Sequence, residues 1–140
     1  EICFEGLENT KIDKITHICC GYPDKLDAIN YPKAPLDSYK LIAKQLDQSI
    51  IDTVSIEDAH RYNNLELFNM FKKTKIIIGL IKIASSVEET KEEINKRLNE
   101  ISNYFDLNNL IAAPDCGLGL LPKELAKRKL KNMVDAVKNI

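Results

Sequence analysis

Four side chains that can ligate a metal stand at the ends of short apolar runs in this sequence. His17 and Cys19 close the first run, Glu57 closes the second, and Cys116 stands in a Pro-Asp-Cys-Gly segment after a later one. Together they offer an imidazole, two thiolates and a carboxylate, the donor set that zinc prefers. Because no short knuckle joins these groups, only a folded domain can bring them together, which favours a catalytic metal over a structural one.

The elements that must position these groups follow a simple alternation of four strand patterns with four helix patterns. The strands are predicted at residues 14–20, 53–57, 75–83 and 110–115, and the helices at residues 37–49, 65–73, 85–104 and from 121 to the C-terminus. Such an alternation predicts a parallel sheet covered by helices.

Three details of the helices can be predicted as well. Asp37 and Ser38 are expected to cap the first helix, whose buried face should carry Leu41, Ile42, Leu46 and Ile50. Ser86 and Glu89 have the spacing of a capping box for the third helix.

Two α/β architectures fit this order: a small doubly wound sheet, or one half of an eight-stranded barrel. Residues 1–7 resemble the tail of a helix whose start is missing. A four-stranded half cannot close a barrel by itself. We therefore expect residues 1–140 to be the C-terminal half of a (β/α)8 TIM barrel, made of four parallel βα units and belonging to a longer polypeptide.

Side-chain alternation along the strands directs the candidate ligands to one place. Residues two apart share a face of a strand, so His17 and Cys19 point together, while Cys20 points to the helices as a small buried hydrophobe. On the second strand, Glu57 and Ile56 point to opposite faces. All four candidate ligands fall at the C-terminal ends of their strands, where parallel α/β folds build active sites. A metal site and a set of unrelated core and rim residues both remain open at this point.

Composition limits the classes of protein to consider. With 140 residues, 44% of them hydrophobic and 29% charged, the chain can form one globular domain or part of one. Twenty basic and twenty-one acidic residues give a net charge of −1, which argues against partners such as nucleic acid or an anionic membrane. The basic residues at 123–131 alternate with Leu and Ala, as on a solvated helix face.

We expect no signal peptide, and residues 1–140 contain no apolar run long enough to span a membrane. The four cysteines include the adjacent pair Cys19 and Cys20, which argues against a disulfide framework. A reducing, cytoplasmic location is therefore expected.

Several segments resemble the catalytic domain of cobalamin-independent methionine synthase. They are His-Ile-Cys at 17–19, Ser-Ile-Glu at 55–57, Pro-Asp-Cys-Gly-Leu at 114–118 and the last-helix segment at 131–137. The resemblance runs from about residue 12 onward, and the string at 17–24 is closer to a short, single-barrel branch than to the long two-barrel enzymes.

The resemblance implies a barrel with zinc at its C-terminal mouth, held by His17, Cys19 and Cys116, with Glu57 as a fourth ligand that yields to substrate. It implies an enzyme of methionine biosynthesis, a methyltransferase that moves a methyl group from 5-methyltetrahydrofolate to the thiol of homocysteine. Zinc would supply a thiolate at neutral pH, where a free thiol is mostly protonated.

One departure from the family concerns the acid that helps the folate amine to leave. The long enzymes carry Asp and His where this sequence has Lys82 and Ala84. His60 is the only other histidine and is a candidate acid, the alternative being a solvent-facing loop residue. Asp58 is a candidate for orienting a metal ligand, and so is Asp115.

Other functions remain open from the sequence. A zinc alkyltransferase that joins another electrophile to a thiol, as epoxyalkane:coenzyme M transferase does, is favoured by Lys82 and Ala84. A half-barrel that keeps its ligands without activity is a third possibility. A self-contained doubly wound binding domain is disfavoured, because no strand is followed by a Gly-rich phosphate loop.

Overall fold

The computed structural model describes residues 2–138 and contains four strands and three α-helices. The strands are β1 (Ile15–Ile18), β2 (Thr53–Ile56), β3 (Lys75–Ile81) and β4 (Leu110–Pro114). The helices are α1 (Ser38–Gln48), α2 (Lys91–Ser102) and α3 (Lys123–Val137), and short 3-10 helices occur at Ile2–Phe4, Leu65–Met70 and Leu107–Asn109.

The strands form one parallel sheet in the order β1-β2-β3-β4. Each strand therefore pairs with the next one along the chain. A doubly wound sheet instead reverses its strand order at a switch point, whereas a barrel adds strands in one direction. This topology agrees with four βα units of a barrel and not with the doubly wound alternative.

The hydrophobic core lies between the sheet and its helices. Val54, Ile56, Ile76 and Ile78 are buried and pack with side chains of the helical layer, among them Phe68, Leu98 and Ile101. The other face of the sheet is open: Ile15 is 50% exposed and Ile111 is 45% exposed. Alternation and register place His17 and Ser55 on this open face.

Two helices differ from their sequence prediction. The helix predicted at residues 65–73 is a 3-10 helix over Leu65–Met70. The helix predicted from residue 85 begins at Lys91, and its capping box is formed by Thr90 and Glu93. Ser86 and Glu89 form no such box, because the Glu89 carboxylate accepts the Lys82 N–H and pairs with Lys129, 3.2 Å away.

The predicted buried face of α1 is wrong at Leu41 and Ile42, which are 76% and 37% exposed. Tyr39 and Ala43 are buried instead, and Leu46 packs partly against the core. Anchoring of Tyr39 against β1 and β2 sets the rotation of the helix. Asp37 precedes the helix but makes no side-chain capping hydrogen bond.

The last helix, predicted to reach the C-terminus, ends at Val137, with residues 139–140 outside the described part of the chain. Within residues 2–138, no helix has both the length and the apolar character needed to cross a membrane.

Candidate metal centre

Three of the four predicted ligands come together where the strands end. The donor atoms of His17, Cys19 and Cys116 all lie within 4.8 Å of one another. β1 and β4 are the outer strands of the sheet, so the closeness of these donors shows that the segments after both strands converge at this rim. One tie between these loops is the Tyr22 hydroxyl, which donates to the Gly117 carbonyl at 3.0 Å.

The ring of His17 is held by its neighbour in the register. Its Nδ1 lies 2.9 Å from Oγ of Ser55, the residue opposite it on β2. Because Nδ1 already has this partner, Nε2 is the ring nitrogen left for another interaction. His17 and Cys19 are both exposed, so the ligand group is open to the concave side of the sheet.

The fourth predicted ligand, Glu57, lies against this group but is engaged by three donors. Its Oε1 accepts from Cys19 Sγ at 2.8 Å and from the Cys20 N–H at 3.3 Å, and its Oε2 accepts from Lys33 Nζ at 2.6 Å. Partial desolvation of the Cys19 thiol, together with its hydrogen bond to the carboxylate, raises the pKa of Cys19 to about 12.

Tyr39 is a positioning residue that the sequence analysis missed. Its hydroxyl donates to the Ile18 carbonyl at 2.8 Å and accepts from the Glu57 N–H at 3.1 Å. It thereby joins the ends of β1 and β2, next to Cys19 and Glu57. The signal in the sequence was the spacing of Tyr39, Ala43 and Leu46 on one face of α1.

His60 is held by a buried aspartate. Its Nδ1 lies 2.8 Å from Oδ2 of Asp115, and Asp115 also accepts the backbone N–H groups of Asp58, Ala59 and His60, each at 2.8 Å. Burial alone would raise the pKa of Asp115, but the contact with His60 and the three amides hold that pKa below its usual value. Gly79 leaves room for this aspartate, since a Cβ there would lie 2.7 Å from the Asp115 Cα.

The side chain of His60 is only 11% exposed, so the alternative of a solvent-facing loop residue is wrong. Its second nitrogen, Nε2, is buried and has no hydrogen-bond partner within residues 2–138. The ring lines an open groove beside Tyr31, Lys33, Lys82 and Ala84. His60 thus faces the same groove as the two positions where the sequence departs from the long enzymes.

Asp58 is not brought to the ligand group. Its buried carboxylate accepts from Arg97 Nε at 2.6 Å and Nη2 at 2.9 Å, and from the Asn63 N–H at 2.8 Å. Arg97 belongs to α2, so Asp58 links the segment after β2 to the helical layer. Nothing in these contacts lets Asp58 orient His17, Cys19 or Cys116.

The sequence of the chain matches a known protein family. The family described as "Cobalamin-independent synthase, Catalytic domain" matches residues 10–139. The chain belongs to this family.

The chain is also similar to proteins that are named methionine synthase. The chain is 29% identical over 136 residues to the methionine synthase of Sulfurisphaera tokodaii, covering 96% of the chain and 35% of that protein. It is 27% identical over 104 residues to the methionine synthase of Pyrococcus furiosus, covering 74% of the chain and 31% of that protein. The chain thus spans about a third of the length of these relatives.

Among solved structures, a B12-independent methionine synthase from Shewanella, in complex with selenomethionine, superposes with a TM-score of 0.76 at 25% identity. The superposition covers 96% of this chain and 39% of that one. A Listeria monocytogenes protein described as a putative vitamin-B12 independent methionine synthase shares the fold at 24% identity, with a TM-score of 0.62 over 89% of this chain and 34% of that one. The prediction of four parallel βα units of a (β/α)8 barrel is confirmed.

Proposed function

We propose that this chain carries the metal-binding part of a methyltransferase that converts homocysteine to methionine, with 5-methyltetrahydrofolate as the methyl donor. The observation that supports it is the convergence of His17, Cys19 and Cys116 to within 4.8 Å at the C-terminal rim of the sheet. Membership of the family and the curated names of the relatives point to the same activity.

The donor set fits zinc. One imidazole and two thiolates are a common set of three protein ligands for zinc, and a catalytic site keeps its fourth position open for substrate. His17, Cys19 and Cys116 would hold the ion, and Glu57 would be the ligand that yields. Bound there, zinc would lower the pKa of a coordinated substrate thiol and so supply a nucleophile at neutral pH.

A residue of the chain would supply the proton that the departing nitrogen takes up, while the homocysteine thiol gives up its own proton as it becomes the nucleophile. When the methyl group moves to the sulfur, its former bond to the folate nitrogen breaks and that nitrogen takes up a proton. His60 is the candidate acid, because it lines the groove and Asp115 holds its Nδ1, while the buried Nε2 has no hydrogen-bond partner among the described residues. Asp115 would keep the ring oriented.

A second candidate keeps the metal and the thiol but changes the electrophile. Lys82 and Ala84 line the groove where the long enzymes carry Asp and His. A donor such as an epoxide needs a proton on its oxygen, which His60 could also deliver. Formation of a thioether from an epoxide and a small thiol, without methionine formation, would favour this candidate.

Two further proposals concern the longer protein to which the chain belongs and its location in the cell. Because it spans 35% of the S. tokodaii relative, we propose that residues 1–140 work as part of a longer barrel that supplies further substrate contacts. All four cysteines are free thiols, which supports a reducing, cytoplasmic location.

The test compares wild type, Cys116→Ser and Cys3→Ser in the protein that carries this sequence. Zinc per chain and methionine formed from homocysteine and 5-methyltetrahydrofolate are measured together. We expect about one zinc and turnover in the wild type, with both largely lost in Cys116→Ser because a thiolate ligand is removed. Cys3 is an exposed free thiol outside the ligand group, so Cys3→Ser should behave as wild type. A folded wild type without zinc, or equal loss in both variants, would contradict the proposal.

A further inference from the structure

Lys33 forms an ion pair with Glu57, the carboxylate that is expected to complete the metal site. Its Nζ lies 2.6 Å from Glu57 Oε2, and the two side chains are only 14% and 6% exposed. The other oxygen, Oε1, accepts from Cys19 Sγ at 2.8 Å and from the Cys20 N–H at 3.3 Å. Both oxygens of Glu57 are therefore satisfied by groups of the protein itself.

The position of Lys33 is built into the loop that follows β1. The Ala34 N–H donates to the Cys20 carbonyl at 2.8 Å, which folds the loop back on the strand end. Gly21 makes this approach possible: it has a φ of +148°, and a Cβ there would collide with the Pro32 carbonyl and lie 3.3 Å from the Lys33 Cα.

Arg61 and Tyr31 fix the same segment. Arg61, in the loop after β2, donates from Nη2 to the Ala34 carbonyl at 2.7 Å. The ammonium of Lys33 also lies 5.3 Å from the ring centroid of Tyr31, in cation–π range. Lys33 is thus held between β1 and β2, and its contact with Glu57 is not a surface ion pair.

The present position of Glu57 is not that of a co-ligand with Cys19. Zinc–sulfur and zinc–oxygen bonds of about 2.3 and 2.1 Å in a tetrahedral site place the two donor atoms roughly 3.6 Å apart. Glu57 Oε1 lies 2.8 Å from Cys19 Sγ, and Glu57 is outside the group whose donor atoms lie within 4.8 Å of one another. Glu57 must move relative to Cys19 before both can bind one ion.

We propose that Lys33 competes with the metal for Glu57. It holds the carboxylate when the carboxylate is off the metal, and it thereby weakens metal binding and eases the opening of the fourth position to a thiol. This inference rests on the proposed metal site. Lys33 is a positioning residue here, since it acts through Glu57.

If Lys33 merely orients Glu57 as a metal ligand, the removal of Lys33 should change the metal affinity in the opposite direction. A partner that merely orients a ligand improves metal binding, and its removal commonly weakens binding by about 10–100-fold. If Lys33 competes for Glu57, its removal should tighten binding, and we expect about a tenfold effect, the lower end of that range. The sign of the change therefore separates the two roles.

The experiment measures zinc affinity by competition with a chromophoric chelator, and the visible spectrum of the Co2+-loaded protein. Four proteins form a cycle: wild type, Lys33→Gln, Glu57→Gln and the double variant. Lys33→Gln is expected to bind zinc about tenfold more tightly and to shift the Co2+ bands, because the released carboxylate enters the coordination sphere. In the Glu57→Gln background, the same change at Lys33 should have no effect on either readout.

Lys82→Gln is the matched control, since it removes an equal charge from the same groove without a contact to Glu57. Unchanged or weaker zinc binding in Lys33→Gln would overturn the inference. So would equal tightening in the Glu57→Gln background or in Lys82→Gln, because charge alone would then explain the effect. If the wild type binds zinc but Lys33→Gln binds it no more tightly, only this inference fails. If the wild type binds neither metal, the proposed function fails and the inference with it.

Discussion

The imidazole of His60 has one nitrogen in contact with Asp115, 2.8 Å away, and one buried nitrogen with no hydrogen-bond partner in the described part of the chain. A buried polar atom without a hydrogen bond costs free energy, so such a nitrogen on a residue that lines a groove points to a use for that residue. The structure holds the other side of the ring through Asp115, which three backbone amides fix in place. The ring is thus oriented in advance of any substrate.

The same substitution at the two histidines should separate metal binding from proton transfer. We expect His60→Gln to lower kcat for methionine formation by about 100-fold or more, the usual contribution of a general acid, while zinc per chain is unchanged. His17→Gln removes a ligand and should lose zinc. Steady-state kinetics and metal analysis on both variants check this; zinc loss in His60→Gln, or unchanged kcat, would contradict it.

The alternation of side chains along β1 and β2 is enough to predict that His17, Cys19 and Glu57 share a rim, because strand geometry fixes it. The role of Lys33 could not be predicted, since it depends on the path of the loop between β1 and α1. The same is true of Asp115, whose partners come from the loop after β2. Contacts made by loops are set by tertiary packing, and the local sequence pattern does not encode them.

At the scale of elements, α2 is joined to the end of β2 by the buried pair of Arg97 and Asp58. The two side chains are 5% and 0% exposed, and Arg97 also donates to the Asn63 carbonyl at 2.9 Å. The guanidinium carbon lies 4.4 Å from the ring centroid of Tyr62. This network holds the segment that begins at Asp58 and contains His60.

Arg97→Met should therefore lower the free energy of unfolding by about 3–5 kcal/mol, because it leaves the Asp58 carboxylate buried without its counter-charge. Arg128→Met is the matched control: Arg128 pairs with Glu88 at 2.6 Å but is 57% exposed, and such pairs contribute about 0–1 kcal/mol. Urea unfolding of both variants measures the difference. Equal losses would show that the Arg97 network is not a stabilising link.

The order and type of the strands could be predicted from their short apolar runs, but the rotation and start of the helices could not. Leu41 was expected in the core and is exposed, because the two hydrogen bonds of the Tyr39 hydroxyl turn the helix. Glu89 was expected in a capping box and instead pairs with Lys129 of α3. Both differences arise from contacts between elements that are distant in the sequence.

At the scale of the whole molecule, the candidate metal centre joins elements that share no direct pairing. β1 and β4 are the two outer strands, and their ends carry His17, Cys19 and Cys116. The concave face between them is open in this chain, with Ile15 and Ile111 half exposed. A metal bound at the rim would therefore cross-link the two edges of the sheet.

Metal binding should consequently stabilise the fold. A ligand that binds only the folded state at a thousand times its Kd adds about 4.1 kcal/mol, which corresponds to roughly 10 °C in Tm for a domain of about 150–250 residues and to less for a longer barrel. We expect a chelator to lower the Tm of zinc-loaded wild type by about that amount. Because the thiol ligands must lose their protons when the metal binds, and burial and Glu57 raise the pKa of Cys19 to about 12, the effect of zinc should grow with rising pH.

Two variants decide whether this stabilisation comes from the rim. Cys116→Ser removes the ligand that β4 contributes, so its Tm should not respond to zinc or to the chelator. Cys3→Ser keeps all three ligands and should respond as the wild type does. Calorimetry at matched zinc concentrations measures both. An equal zinc response in Cys116→Ser would mean that the ion binds elsewhere, and that the convergence of the strand ends does not by itself make the site.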